Sequence, residues 1–260
     1  MIQLEQIKKY FPPYINESPQ FQKYMIKEYI QLLILDYLSS TKWVTKLSFI
    51  GGTYLRLVKG IDRFSEDIDF DCKNFSEEDF TQMTDDILNY LKRFGFKVEA
   101  NTKLDRKLKA FRRSIYFPGL MFELGLSAYK DERFLIKVES QDQLFNYTPI
   151  NVNIKGCGFY FSFPVPDDKI ICAMKIAALL SRSKGRDFYD VMFLLNITAP
   201  DYEFLKSKYG ISNLAELKSA FSLLLKDINL IHKSKDFEHL LFEKRNSSKI
   251  LLFDKFIKDL

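Results

Sequence analysis

The sequence predicts a mixed α/β half, residues 1–165, followed by an α-helical half, residues 166–260. Up to Val165, short apolar segments with alternating polar residues are typical of β-strands, and they lie between helical patterns. From Pro166 onward, apolar residues recur at helical spacing. A hydrophobic content of 47% with 28% charged residues is that of an ordinary globular protein with ample core. We therefore expect an α/β (α+β) domain with a mixed sheet and a helical C-terminal domain.

The first half begins with a long helix. Ser18 can cap this helix, Pro19 suits its first turn, and the sequence FQKYMIKEYIQLLILDYL carries apolar residues at helical spacing. Leu47–Ile50 is a short apolar segment that predicts a strand. The Gly51-Gly52 pair then turns the chain into a helix that begins near Thr53.

A further helix and several strands complete the first half. The helix runs from the Ser76 cap to a stop at Gly95. The predicted strands are DIDFD, FKVEA, FRRSIYFPGLMFELGLS in one or two pieces, RFLIKVES and GFYFSFPV. In the second half, PDDKIICAMKIAALLSR is a capped helix that Gly185 breaks, and DFYDVMFLLN resumes the helical pattern. Helix is also predicted for NLAELKSAFSLLLKDINLI, DFEHLLFEK and SKILLFDKFIKDL.

Cysteine and histidine usage excludes several kinds of site. Cys72, Cys157 and Cys172 are odd in number and show no metal-type spacing, so we expect reduced core cysteines. His232 and His239 are the two histidines of the sequence, too few for a histidine-rich zinc site. No secretory segment and no bilayer-length apolar run are evident, so a cytoplasmic protein without a membrane partner is expected.

Asp67 and Asp69 predict a metal site. Side chains at positions i and i+2 of a strand point to the same side, so the segment DIDFD presents these two carboxylates together. Adjacent anions repel unless water or a cation neutralises them. Hard oxygen ligands of this kind suit Mg²⁺, which commonly holds substrate phosphates as further ligands.

The turn at Gly51-Gly52-Thr53 predicts a phosphate site. Glycine allows backbone N–H groups to approach a phosphate closely, and a helix N-terminus favours negative charge. The Thr53 hydroxyl adds a hydrogen-bonding group. A phosphate-binding turn before a metal-binding aspartate pair predicts a nucleoside triphosphate site.

A two-metal site needs a third carboxylate from a neighbouring strand. Glu139 in IKVES lies in an apolar frame and is the first candidate. Glu123 in MFELGL is the competing candidate.

A basic run and an isolated lysine also stand out. Lys175 interrupts the apolar stretch CAMKIAALL, where an unpaired ammonium would be costly, so it meets either an acid or a phosphate. The segment KLDRKLKAFRR carries six basic residues against one acid. Its charge pattern fits either a solvated face or a contact with nucleic acid. The six basic residues are Lys103, Arg106, Lys107, Lys109, Arg112 and Arg113.

Two motifs resemble a known family. Gly-Gly-Thr, a short spacer and SEDIDF resemble the nucleotidyltransferase signature of DNA polymerase β-like enzymes. KIAALLSRSKGRDFYDVMFLL is similar to the lysine-then-Arg-Asp region of AbiEii/AbiGii-type toxins, the nucleotidyltransferase toxins of type IV toxin–antitoxin and phage-defence systems. The resemblance extends roughly from Leu47 to Leu195.

The resemblance implies roles for individual positions. Its Ser-x-Asp-x-Asp motif falls on Ser65, Asp67 and Asp69, with the aspartates on metal. Its helical lysine is Lys175, which is expected to contact the triphosphate. The acid that follows corresponds to Asp190. Its motif neighbours, Arg186 and Asp187, are expected near the nucleotide.

The resemblance also implies the reaction. We expect a Mg²⁺-dependent enzyme that moves a nucleoside monophosphate from an NTP to an acceptor hydroxyl on RNA, with a tRNA 3′ end as the first candidate. A cognate antitoxin is the implied protein partner. One rival is a metal-dependent glycosyltransferase, which explains the Asp-x-Asp pair but not the preceding Gly-Gly-Thr. Another is a non-catalytic nucleotide- or RNA-binding module, against which the intact aspartates argue.

Overall fold

The structure is a computed structural model that describes residues 3–105 and 110–260. Its contacts divide the chain into two compact units. Unit 1 comprises Met1–Gly60 and Phe64–Val165, and unit 2 comprises Ile61–Arg63 and Pro166–Leu260. The change in sequence character after Val165 therefore falls at a boundary between the units, while a three-residue segment from the first half belongs to unit 2.

Unit 1 contains a mixed sheet, a two-stranded hairpin and several helices. A 3₁₀ turn at Lys42–Lys46 precedes the first strand. The helices are α1 (Leu4–Lys8), α2 (Pro13–Asn16), α3 (Pro19–Ser39), α4 (Gly51–Leu57), α5 (Glu77–Arg93) and α6 (Leu120–Glu123). The strands are β1 (Leu47–Ile50), β2 (Ile68–Cys72), β3 (Glu99–Asp105), β4 (Ala110–Tyr116), β5 (Leu135–Gln141), β6 (Ile150–Gly156) and β7 (Phe159–Val165).

The sheet has the strand order β1-β2-β5-β4-β3. Strands β2 and β5 pair in parallel, and the other neighbours pair antiparallel, so the predicted mixed sheet is confirmed. Strands β6 and β7 form the separate antiparallel hairpin.

The two faces of the sheet differ in polarity because side chains alternate along each strand. Ile68 and Phe70 of β2 are fully buried on one face, where Phe70 stacks on Phe163 of β7. On the same face, Phe111 of β4 stacks on Phe80 of α5. The opposite face carries the acidic side chains of β2 and the polar side chains of β4 and β5.

Unit 2 is built from helices in its described residues. Asp167 caps α7 by accepting from the Ile170 N–H at 3.0 Å, and Ser183 ends that helix in a left-handed conformation. The helices are α7 (Asp168–Arg182), α8 (Gly185–Leu195), α9 (Tyr202–Tyr209), α10 (Leu214–Leu225), α11 (Leu230–Lys235) and α12 (Phe253–Asp259), with 3₁₀ segments at Glu238–Leu240 and Lys244–Leu252.

Several elements differ from the sequence-based expectation. The second piece of FRRSIYFPGLMFELGLS is the short helix α6, because Pro118 lacks an N–H for a ladder and Gly119 takes φ +73°. The segment DFEHLLFEK forms a single 3₁₀ turn instead of an α-helix. Strand β6 and helices α1, α2 and α9 were not predicted. Short elements of this kind depend on contacts outside their own sequence.

None of the helices in the described residues is both long enough and apolar enough to cross a bilayer.

Candidate active site

The turn between β1 and α4 brings Gly51 against Asp69. Gly51 has φ +85°, a conformation that L side chains rarely adopt. A Cβ at this position would overlap the Asp69 carboxylate. Glycine at position 51 is therefore required both by the backbone and by the close approach of Asp69. Gly52 follows as the second residue of α4.

Thr53 ties this turn to the aspartate motif. Its hydroxyl donates to the Asp67 carbonyl oxygen, and the residue is fully buried. The buried Gln31 amide of α3 lies 3.5 Å from the Thr53 hydroxyl and donates to the Ser65 carbonyl oxygen at 3.2 Å. These hydrogen bonds fix the positions of Thr53 and of the Ser65 backbone. The predicted contacts of Thr53 and Ser65 with a nucleotide stay predictions.

Three carboxylates share the polar face of the sheet. Asp69 is in register with Ile50 on one side and with Glu139 on the other. Adjacent strands lie roughly 4.8 Å apart, so Asp69 and Glu139 are direct neighbours across the parallel pair. Asp67 lies just before β2, and its Oδ2 is 3.7 Å from Nζ of Lys137, which shares a face of β5 with Glu139. The structure thus brings Glu139 to the aspartate pair. Glu123, the competing third carboxylate, ends α6 and accepts from Lys97 at 2.7 Å.

Two cations lie among these carboxylates. Arg112 of β4 is in register with Glu139; its Nε lies 2.6 Å from Glu139 Oε1, and its Nη2 donates to Oε2 at 3.0 Å. Lys137, two residues before Glu139 on β5, places Nζ 3.7 Å from Asp67 Oδ2. Each of these two cations offsets part of the repulsion between the carboxylates.

The environment of Asp67 makes its ionised form costly. Burial raises the pKa of the Asp67 carboxyl above its ordinary value, and Glu139 and Glu66 raise it further. Lys137 and, more weakly, Lys27 act in the opposite direction. An added cation at this site would therefore be stabilising.

The donor set suits Mg²⁺ in its chemistry. Carboxylate oxygens are the ligands that this ion prefers, and Asp67, Asp69 and Glu139 supply them from one face. Within residues 3–105 and 110–260, no group of three or more His, Cys, Asp or Glu side chains is arranged to hold a metal ion. Both oxygens of Glu139 are directed to Arg112. The carboxylates fit the ion if the contact between Arg112 and Glu139 opens.

Asp71, the third acid of DIDFD on this face, has a structural role. Its carboxylate accepts from the Gln143 N–H at 2.8 Å and from the Tyr147 hydroxyl at 2.5 Å. Burial raises the pKa of Asp71, and these two hydrogen bonds oppose the shift. Asp71 therefore fixes the segment after β5 rather than extending the acidic cluster.

The basic run divides between the two faces of the sheet. Lys103 is in register with Arg112 through the backbone of β3. Arg113 points to the other face, where it donates to the Thr84 hydroxyl at 2.6 Å and pairs with Asp85 at 2.7 Å. These contacts with α5 explain the position of the Arg113 side chain. The remaining predicted residues, Arg106, Lys107 and Lys109, and the side chain of Lys103 lie outside the described part of the structure. Contact of the run with nucleic acid stays a prediction.

Unit 2 contains a buried ionic cluster around Asp190. Arg63 donates to both carboxylate oxygens of Asp190, through Nε at 2.8 Å and Nη2 at 2.7 Å. Lys175 Nζ donates to Oδ2 at 2.8 Å. Burial raises the pKa of Asp190, but the two cations outweigh it and lower the pKa to about 2. Lys175 therefore meets an acid, which is one of its two predicted partners, and its contact with a triphosphate stays a prediction.

The other predicted residues of unit 2 lie at the start of α8. The Asp187 carboxylate accepts from the Lys184 N–H at 3.1 Å and pairs with Arg182 through two bonds of 3.0 and 2.8 Å. It is completely buried, so it stabilises the helix start in the way that an acid in the first turn does. Arg186 is half-buried next to it. The nucleotide contacts predicted for Asp187 and Arg186 stay predictions.

Sequence reasoning missed three residues of these clusters. Lys137 could have been found, because it precedes Glu139 by two residues and the same alternation places both on one face. Arg63 and Gln31 carry no such signal, since Arg63 pairs with a residue 127 positions away and Gln31 with one 34 positions away. Such pairings depend on the tertiary fold.

Comparisons with known proteins identify similar chains. A sequence profile described as "Nucleotidyl transferase AbiEii toxin, Type IV TA system" matches residues 33–247. The fold is similar to MenT4, a nucleotidyltransferase toxin from Mycobacterium tuberculosis H37Rv, with a TM-score of 0.59 and 15% identity over 100% of this chain and 91% of that chain. It is also similar to JHP933 from Helicobacter pylori, with a TM-score of 0.53 and 19% identity over 90% of each chain. Because the sequence identities to these two proteins are only 15% and 19%, the structural similarity shows a shared fold and nothing about function. A comparison with curated protein sequences finds no significant match.

Substitution of Gly51 tests its close approach to Asp69. Gly51→Ala should lower the free energy of unfolding by about 1–3 kcal/mol more than Gly60→Ala, measured by denaturant titration. Gly60 has φ +71°, and a Cβ added there would meet no other atom within 4 Å, so its substitution introduces backbone strain alone. Equal losses in the two variants would show that Asp69 is not packed against Gly51.

Substitution of Asp190 tests the buried ionic cluster. Asp190→Asn should lower the free energy of unfolding by about 3–5 kcal/mol, because it leaves Arg63 and Lys175 buried without their anion. Asp254→Asn removes an exposed acid paired with Lys258 and should cost less than about 1 kcal/mol.

The pH dependence of stability follows from the lowered pKa of Asp190. Because the folded pKa of Asp190 lies below its unfolded value, its stabilising contribution is present above about pH 4 and is lost as the pH falls toward about 2. Acid titrations followed by circular dichroism should show a smaller loss of stability in this interval for Asp190→Asn than for the wild type. Parallel curves would contradict the ionic assignment.

Proposed function

Since the chain belongs to the AbiEii family of nucleotidyltransferase toxins of type IV toxin–antitoxin systems, we propose that it transfers a nucleoside monophosphate from an NTP to a hydroxyl of RNA, with Mg²⁺ as cofactor. The observation that carries this proposal is the alignment of Asp69 with Glu139 on adjacent parallel strands, with Asp67 on the same face. The family implies a nucleotide substrate and an antitoxin partner. A role in phage defence is part of the proposal.

In the proposed reaction the acceptor hydroxyl attacks the α-phosphate of the NTP. A bond forms between the acceptor oxygen and the α-phosphorus, the bond to the β-phosphate oxygen breaks, and pyrophosphate leaves. The proton of the attacking hydroxyl is released to water. When bound, Mg²⁺ lowers the pKa of the attacking hydroxyl and neutralises charge on the leaving group. Asp67 and Asp69 would hold the ions of a two-metal site, and Glu139 would complete the one on the acceptor side.

The protein's own part is to fix these carboxylates in place. Register with β1 and β5 fixes the position of Asp69. The Thr53 hydroxyl holds the backbone at Asp67, and Gln31 anchors both Thr53 and Ser65. Such preorganisation favours transfer because the groups need not reorganise as charge develops in the transition state. The backbone at Gly51–Thr53 is the proposed contact for the triphosphate.

RNA is the proposed acceptor on the basis of charge and of the family resemblance. The chain has a formal charge of +5 and a pI near 8.8, which favours encounter with polyanions. The basic run from Lys103 to Arg113 begins on β3, and Lys103 is in register with Arg112 on the strand beside Glu139. A tRNA 3′ end is the first acceptor to test.

Nucleotide transfer can be tested directly. The purified chain should label tRNA when it is incubated with Mg²⁺ and one of the four α-³²P-labelled NTPs, and labelling should fall by at least about 100-fold in Asp69→Asn. Label is quantified on denaturing gels, and circular dichroism confirms that the variant is folded. Label on the protein instead of the RNA would indicate a protein acceptor. NTP binding without label on any acceptor tested would contradict the proposal and favour a sequestering module.

A matched pair of glutamate variants tests the third carboxylate. Glu139→Gln should lose transfer to a similar extent as Asp69→Asn, whereas Glu123→Gln should retain the wild-type rate. Both variants remove one negative charge from a residue that pairs with a cation in unit 1. Equal activity of the two variants would remove Glu139 from the proposed site.

A further inference from the structure

We propose that Arg112 is a phosphate-binding residue of the nucleotide site, and that Glu139 holds it until a divalent cation binds to Glu139. This inference rests on the proposed function, because it assumes that Asp67, Asp69 and Glu139 bind metal. It assigns Arg112 a different ligand from the nucleic acid that the basic run suggests.

Arg112 competes with a metal ion for the same two oxygens. It approaches both carboxylate oxygens of Glu139, at 2.6 and 3.0 Å. A metal ion that takes Glu139 as a ligand needs at least one of these oxygens and repels the adjacent guanidinium. Arg112 and a metal ion therefore compete for Glu139, and we expect binding of the ion to displace Arg112 from the carboxylate.

Once displaced, Arg112 lies close to the aspartates. The register across the sheet places Asp69, Glu139 and Arg112 in one row on β2, β5 and β4. Arg112 is therefore two strand spacings from Asp69, about 10 Å, on the same polar face. A triphosphate held at the aspartates lies within reach of an arginine side chain from that distance.

The chemistry of the Arg112 side chain suits an exchange of anions. Guanidinium presents a planar fork of N–H donors that matches phosphate as well as carboxylate. The Arg112 side chain is 37% exposed, so it can exchange one anion for another without breaking the core. Arg113 differs in this respect, because its side chain is 11% exposed and is held by α5.

Coupling between metal and phosphate follows from this exchange. Without metal, Arg112 is neutralised by Glu139 and adds little to phosphate binding. With metal on Glu139, that carboxylate no longer neutralises Arg112, and the guanidinium favours the triphosphate. Each ligand then raises the affinity for the other, as linkage requires.

Removal of Arg112 should therefore change two affinities in opposite directions. Binding of Mn²⁺ alone and of inorganic tripolyphosphate in saturating Mn²⁺ are measured by isothermal titration calorimetry for the wild type and Arg112→Gln. The variant should bind Mn²⁺ about 3- to 10-fold more tightly, because a competing cation is gone. It should bind tripolyphosphate about 10-fold or more weakly, because a charged fork is gone. Arg133→Gln, which removes an arginine just before β5, is the matched control and should match the wild type in both measurements.

Arg112→Lys provides a second variant that keeps the charge. It should bind Mn²⁺ more tightly than the wild type, since lysine cannot reproduce the two-point contact with Glu139. It should retain tripolyphosphate affinity within about 3-fold, because a lysine also binds phosphate as a point charge.

Other outcomes would overturn the inference. Weaker binding of both ligands by Arg112→Gln would assign Arg112 a purely structural role. Unchanged tripolyphosphate affinity, with or without a change in Mn²⁺ affinity, would exclude phosphate binding by Arg112. If the wild type binds neither Mn²⁺ nor tripolyphosphate, the proposed function itself fails. If the wild type binds both and Arg112→Gln behaves like Arg133→Gln, this inference alone fails.

Discussion

Repulsion between the carboxylates of Asp67, Asp69 and Glu139 is the constraint on which the site in unit 1 depends. Parallel pairing of β2 with β5 forces Asp69 beside Glu139, and the contact of Asp67 with Lys137 of β5 shows that Asp67 lies on the same face. Like charges at this separation destabilise the fold unless cations neutralise them. Arg112 and Lys137 do so in part. Burial and the neighbouring acids raise the pKa of Asp67, and a cation bound at the proposed metal site would offset this effect.

The surrounding contacts make this arrangement rigid. Gly51 allows the Asp69 carboxylate to approach the backbone at the start of α4, where any larger residue would overlap it. The Thr53 hydroxyl joins the same helix to the backbone of Asp67, and Gln31 of α3 contacts the Thr53 hydroxyl and the Ser65 carbonyl oxygen. The Gly-Gly-Thr motif therefore has a structural function that is independent of any phosphate: it holds the aspartate motif in position.

In unit 2, residues that the family resemblance singled out form buried ion pairs that stabilise the fold. Asp190 is buried between Arg63 and Lys175, and Asp187 is buried with Arg182 at the start of α8. The two cations neutralise the buried carboxylate of Asp190. Without Asp190, both cations would be buried without this anion.

The sequence by itself determined the elements whose signals are local. These elements are the alternation in DIDFD, the Gly51-Gly52 turn, the Ser76 cap and the family motifs. Each could be predicted because it depends on residues that are close in the chain. The tertiary structure decided between Glu139 and Glu123 as neighbour of the aspartates. It also decided that Arg112 contacts Glu139, that Arg63 meets Asp190, and that the piece after β4 is helix α6. Those outcomes depend on strand order and long-range packing, because residues far apart in the chain become neighbours only when the sheet and helices assemble.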